Sequence, residues 1–138
     1  MADPLAASNV AVADKIIDAI NERDVDQLLA IASEDIEFVP LRAAVEGAAY
    51  HGRAGVEKFF RELGDVWAEL RIDIEERHEV TPGTVLGRAT VHGRGHWSDV
   101  PTKMPVGLLA RIRDGLVYYA AMYTDRSEAE RAAGVRSG

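Results

Sequence analysis

Cysteine is absent from the 138 residues. That excludes disulfides, thiolate metal sites and cysteine nucleophiles. Basic residues are the minority charge, 16 Lys and Arg against 23 Asp and Glu, for a formal net charge of −7. A surface this acidic cannot displace phosphate counterions and is repelled by anionic lipid, so neither nucleic acid nor membrane is an expected partner. No apolar run approaches the roughly 20 residues of a membrane-spanning helix. The opening MADPLAASNVAVADK has no basic stretch ahead of an apolar one, so no secretory signal is legible and a cytoplasmic location is expected. No repeat, low-complexity tract or linker divides the chain, and one domain over 1–138 is expected. What the chain does have is 47% hydrophobic residues, enough to bury a core.

The hydrophobic pattern starts helical and turns to strands. Val12, Ile16, Ile17 and Ile20 recur at helical spacing and predict a helix over 6–23. Asp24, with Gln27 three residues on, has the spacing of a capping box for a second, short helix carrying Leu28, Leu29 and Ile31. Residues 35–39 alternate and stop at Pro40, as a strand does. A loop is expected over 41–52. A third helix over 53–68 places Val56, Phe59, Phe60, Leu63 and Trp67 on one stripe.

Beyond it Leu70, Ile72 and Ile74 alternate with charged residues, Thr81-Pro82-Gly83 forms a turn, and strands follow at 84–96, 104–113 and 116–124. Residues 98–103 form a polar connection, and Asp114-Gly115 is a two-residue hairpin signal. Asp125, Glu128 and Gly134 punctuate a last helix. Helices grouped on one side of an antiparallel sheet make the expected class α+β.

That order resembles the nuclear transport factor 2-like superfamily, in its SnoaL-like branch. The pieces that carry the resemblance are AINERDVDQLLAIASEDIEF, YHGRAGVEKFFREL, VHGRGH, LLARIRDGLVYYAAMYTD and RSEAERAAGV, spanning about Ala13 to Val135. The resemblance implies a cone-shaped barrel, in which a strongly curved, mostly antiparallel sheet wraps around helices and encloses a hydrophobic pocket. It also implies a homodimer formed through the outer sheet face. The family holds ketosteroid isomerases, polyketide cyclases, scytalone dehydratases, epoxide hydrolases and proteins of no known activity, so the fold does not decide the function.

Carried over residue by residue, the proton-transfer positions of the polyketide cyclases fall on Leu108 and Met122. Those of the ketosteroid isomerases fall on Val39, before Pro40, and again on Leu108. None of these side chains exchanges a proton, so both schemes lack their chemical groups. Of the epoxide hydrolase set only Asp125 is retained; other positions fall near His92 and Arg94 or on Ile36 and Phe38. The candidate catalytic residues are therefore Asp125, Arg94 and His92, as an epoxide hydrolase-like hydrolase or isomerase would use them. Asp125 has a competing reading as a helix cap.

Arg88, Thr90, His92, Arg94 and His96 share one face of strand 84–96, which either faces solvent and a dimer partner or turns toward the pocket mouth at Gly93 and Gly95. His92 and His96 lie about 13 Å apart at ~3.3 Å per residue, so they cannot share a metal ion. No metal and no cofactor is expected. The candidate ligand-binding residues are Phe38, Phe60, Trp67, Leu108 and Met122. The expected function is binding of a small apolar molecule, or an unassigned SnoaL-like reaction on one. The remaining alternative is a non-catalytic dimeric interaction module.

Overall fold

The computed structural model describes residues 8–40, 49–97 and 100–134. Most of the expected loop 41–52, the start of the 6–23 stretch and part of the connection 98–103 lie outside the described residues. The first amphipathic stretch is helix α1, Asn9–Glu22. Ser8 caps it by accepting from the Ala11 backbone N–H at 3.1 Å. Its apolar stripe, Val12, Ile16, Ile17, Ala19 and Ile20, is buried. Arg23, in the left-handed region at φ 56°, ends it. Asp24 then caps α2, Val25–Leu29, by accepting from the Gln27 backbone N–H at 3.3 Å.

Strand β1, Ala32–Val39, and the two-residue β2, Tyr50–His51, pair antiparallel. Helix α3, Gly52–Val66, buries Val56, Phe59 and Leu63. It ends one residue before Trp67, which is extended (φ −110°, ψ 120°) and opens β3, Trp67–Thr81. The stripe therefore continues onto a strand at Trp67, where a helical end at 68 was expected. The reason is an irregular register between Trp67 and Glu69, which breaks the period-two signal just where the strand starts.

Strands β4, Thr84–Gly95, β5, Thr102–Arg113, and β6, Leu116–Tyr123, complete an antiparallel meander. The β5–β6 turn puts both Asp114 (φ 55°) and Gly115 (φ 78°) in the left-handed region, which the Asp-Gly pair tolerates.

The sheet runs β2-β1-β6-β5-β4-β3. It is mixed, because β1 lies parallel to β6, with Phe38 opposite Ala120. It is curved and does not close, leaving β2 and β3 as its edges. Three register shifts along the β3–β4 ribbon contribute the bend. The concave face presents Ile36, Phe38, Ile72, Val91, Val106 and Ala120 to α1 and α3, and this is the main core.

The last helix, α4, Arg126–Ala133, is capped by Asp125 and stopped by Gly134 at φ 80°. It lies on the opposite face, where Ala129 packs with Leu86 and Leu109. The helices are thus not all on one side of the sheet. A short polar helix with one buried alanine carries no stripe from which its side could be read.

Candidate functional site

Between α1, α3 and the concave face the core does not fill the available space. A cavity of about 950 Å³ remains. Its walls follow from the spacing already described. Helix α1 contributes Ile16 and Ile17 and, one turn on, Ile20, and α3 contributes Phe59 and Leu63. The sheet contributes Phe38 from β1, Leu108 from β5 and Met122 from β6. Leu108 and Met122 are directly opposed across the β5–β6 ladder, so they form one apolar floor.

Trp67 closes one side. Its ring lies against Gly93, where a Cβ would come within 2.6 Å of ring atom Cζ3. Gly93 thus makes room for the indole.

Polar groups are sparse in this lining: two pairs, with Lys58 beside one of them, and the exposed His51 and Asp65. On β3, Arg77 clamps Asp14 of α1, with Nε 2.9 Å from Oδ1 and Nη2 2.9 Å from Oδ2. This two-point pair ties α1 to the sheet and holds the Arg77 guanidinium pKa above its ordinary value. The second pair joins Tyr50 of β2 to Glu62 of α3, the phenol donating to carboxylate Oε2. Lys58, one turn earlier on α3, brings Nζ to 3.9 Å from Oε1. The Tyr50 ring stands edge-on to Phe59 at 5.7 Å, and Phe59 in turn meets Phe38 at 4.7 Å. The hydroxyl is therefore held by an aromatic row running into the core. Arg53 donates to the carbonyls of Leu29, at 2.8 Å, and Ala32, at 3.4 Å, fixing the start of α3 against α2 and β1.

Of the residues singled out from sequence, Phe38, Trp67, Leu108 and Met122 line the cavity. Phe60 does not line it; it packs T-shaped against Phe59. Val39 and Pro40 also lie in the wall, so Val39, Leu108 and Met122, the positions to which the resemblance assigns proton-transfer groups, all lie at the cavity.

The structure does not bring Asp125, His92 and Arg94 together there. The even-numbered residues of β4 point to the convex side, while Val85, Gly87 and Val91 line the cavity. On that convex side His92 lies 3.2 Å from Asp73, and Arg94 lies 3.2 Å from Glu69, both across the β3–β4 ribbon. Asp125 is exposed and accepts from the Glu128 backbone N–H at 2.9 Å as the α4 cap. Among the described residues no group of three or more His, Asp or Glu is placed to hold a metal ion.

Sequence reasoning missed Tyr50 and Glu62 as partners. Glu62 falls on the polar face of α3, and Tyr50 on a two-residue strand; only the meeting of the two elements makes them a pair.

An α+β fold of this order, with the sheet curved over two helices and a cavity open on one side, defines a class of small cone-like domains. The SnoaL-like domain family matches residues 13–120, and the chain belongs to that family. No curated protein matches it. Among solved structures, it is similar to a nuclear transport factor 2-like protein of unknown function from Burkholderia pseudomallei, with 19% identity and a TM-score of 0.75 over 91% of this chain and 97% of that one. A protein with a ketosteroid isomerase-like fold from Catenulispora acidiphila, solved with trimethylamine, gives 16% identity and a TM-score of 0.74 over 91% and 93%. A SnoaL-like polyketide cyclase, so named provisionally, from a Jannaschia species gives 16% and 0.73 over 99% of both chains.

Proposed function

We propose that the protein binds a small, largely apolar molecule in the cavity between α1, α3 and the sheet. The observation that carries this is the cavity itself. About 950 Å³ of unfilled space walled by Phe38, Trp67, Leu108 and Met122 is at the upper end of the size of ligand sites. Space lined by apolar side chains with few polar groups is favourable for an apolar body, because burial removes its surface from water. Known proton-transfer schemes of the family have no group at Val39, Leu108 or Met122, which favours binding over enolisation or ring closure by those routes.

The test uses Trp67 as reporter. Trp97 is 95% exposed, so Trp97→Phe removes the second indole without touching the core. In that background pyrene is expected to quench Trp67 saturably. Leu108→Phe fills part of the floor of the cavity without adding an indole and is expected to weaken pyrene binding by about tenfold or more, the equivalent of ~1.4 kcal/mol. Unchanged affinity in the folded variant would remove the cavity from the function.

The domain is further expected to dimerise through the convex sheet face. Helix α4 already covers Leu86 and Leu109 there. A partner would seat beside α4, over Tyr119 and Tyr123, whose hydroxyls lie 3.0 Å apart. Light scattering is expected to give about twice the 15.0 kDa protomer mass. A protomer mass at micromolar concentration would exclude the dimer.

A further inference from the structure

The cavity lining is apolar except at a few places, and those places differ in what they leave available. Asp14 and Arg77 satisfy each other at two points, which leaves neither a strong claim on a ligand. His51 and Asp65 also border the cavity but are exposed, where water competes for them. Glu62 is different. Its side chain is 43% exposed, one of its oxygens is engaged by the Tyr50 hydroxyl, and among the described residues its other oxygen has only the Lys58 ammonium, at 3.9 Å. That separation is beyond hydrogen-bond range. Lys58 is itself 62% exposed, and a pair this wet contributes little. A carboxylate offers about four lone-pair sites, so Glu62 retains capacity for a further donor. The Phe38–Phe59–Tyr50 row fixes where that carboxylate stands, because the phenol that holds it is packed edge-on against Phe59.

We propose that Glu62, oriented by Tyr50, is the polar anchor of the cavity, and that its ligand presents one hydrogen-bond-donating head, a hydroxyl or an ammonium, on an apolar body. This rests on the binding reading above and adds to it the chemistry of the ligand's polar end. A carboxylate or phosphate head would meet Glu62 with like charge in a partly dry site and is rejected. A hydroxyl donates to the free oxygen. An ammonium does so with charge and also faces the neighbouring rings, which attract cations. Tyr50 is a positioning residue here, and the ligand contact is made by Glu62.

Four probes of one body separate the possibilities: pyrene, pyrenemethanol, pyrenemethylamine and pyrenecarboxylate, each titrated against the Trp97→Phe protein. Pyrenemethanol and pyrenemethylamine are expected to bind more tightly than pyrene by about tenfold, as one hydrogen bond to a charged acceptor provides. Pyrenecarboxylate is expected to bind more weakly than pyrene. Glu62→Gln should abolish the amine's advantage and the carboxylate's penalty while leaving pyrene unchanged. Tyr50→Phe keeps the ring packing and should lower the selectivity with the fold intact, as circular dichroism would verify.

If pyrene binds but the head group makes no difference, or if Glu62→Gln leaves the ranking as it was, the anchor is wrong and the cavity reading stands. If the carboxylate binds best, Lys58 or Arg77 is the anchor and the proposal falls. If none of the four binds, the cavity reading itself fails and takes the anchor with it.

Discussion

Phe59→Ala is expected to destabilise the domain by roughly 3–5 kcal/mol, the range for removing a buried phenylalanine. The ring is buried on the inner face of α3 and meets three others: Phe38 at 4.7 Å, Phe60 at 5.5 Å and Tyr50 at 5.7 Å. Its loss removes apolar burial and three tilted or edge-on ring contacts together. Against a total stability of about 5–15 kcal/mol that is a large fraction. Urea unfolding read by circular dichroism measures it. A loss below about 1 kcal/mol would mean that the neighbouring rings collapse into the space.

Gly107→Ala is expected to be costly for a different reason. Gly107 lies on the convex side of β5, where the chain entering α4 crosses it. A Cβ there would stand 2.5 Å from the Asp125 carbonyl oxygen and 3.0 Å from the Arg126 Cα. Both are backbone atoms and cannot swing aside as a side-chain end can. The helix must lift from the sheet or the strand must shift, an overpacking cost of roughly 1–3 kcal/mol. The expected outcome includes weaker protection of the Leu86–Leu109–Ala129 cluster, measured by hydrogen exchange.

The same substitution at Gly64, inside α3, is the control. Outside the helix's own backbone, the nearest atom to a Cβ there is the end of the Arg23 side chain at 4.0 Å, and alanine is expected to stabilise by about 0.5–1 kcal/mol. Equal effects at the two positions would refute the steric account.

Much of the fold was legible because it is written locally. Asp24 and Asp125 cap the helices they precede, and Asp114-Gly115 makes the turn between β5 and β6. The stripe Val56, Phe59, Leu63 marks the buried side of α3 because a helix repeats its face every three to four residues. The parallel seating of β1 beside β6 was not legible. A pairing between strands so far apart in sequence leaves no trace in either strand's own pattern. The position of α4 on the convex face was lost for a related reason, since only Ala129 is buried on it.

The apolar part of the site could be read in the same way as the core, and Phe38, Trp67, Leu108 and Met122 do lie at the cavity. The polar part could not. Asp125, Arg94 and His92 are the residues that the epoxide hydrolase resemblance singles out, but the alternation of β4 turns its even-numbered residues outward, and Asp125 caps α4. Glu62 was passed over because it sits among Lys58, Arg61 and Asp65 on what reads as a solvated helix face.

The place of β1 also bears on how the molecule assembles. Its neighbour on one side is the two-residue β2, and on the other it must wait for β6. Every strand of the meander can form by zipping to the one before it, but β1 is separated from its main partner by most of the chain. Loop-closure entropy is therefore spent before that contact returns any enthalpy, which places the seating of β1 late and makes it slow. Until then β6 is an open edge, and the wall bearing Phe38 is missing from the concave side. The chamber is completed by the same event that seals this edge, so the interval in which the chain is most prone to pair with the wrong strand is also the interval in which it has no chamber at all.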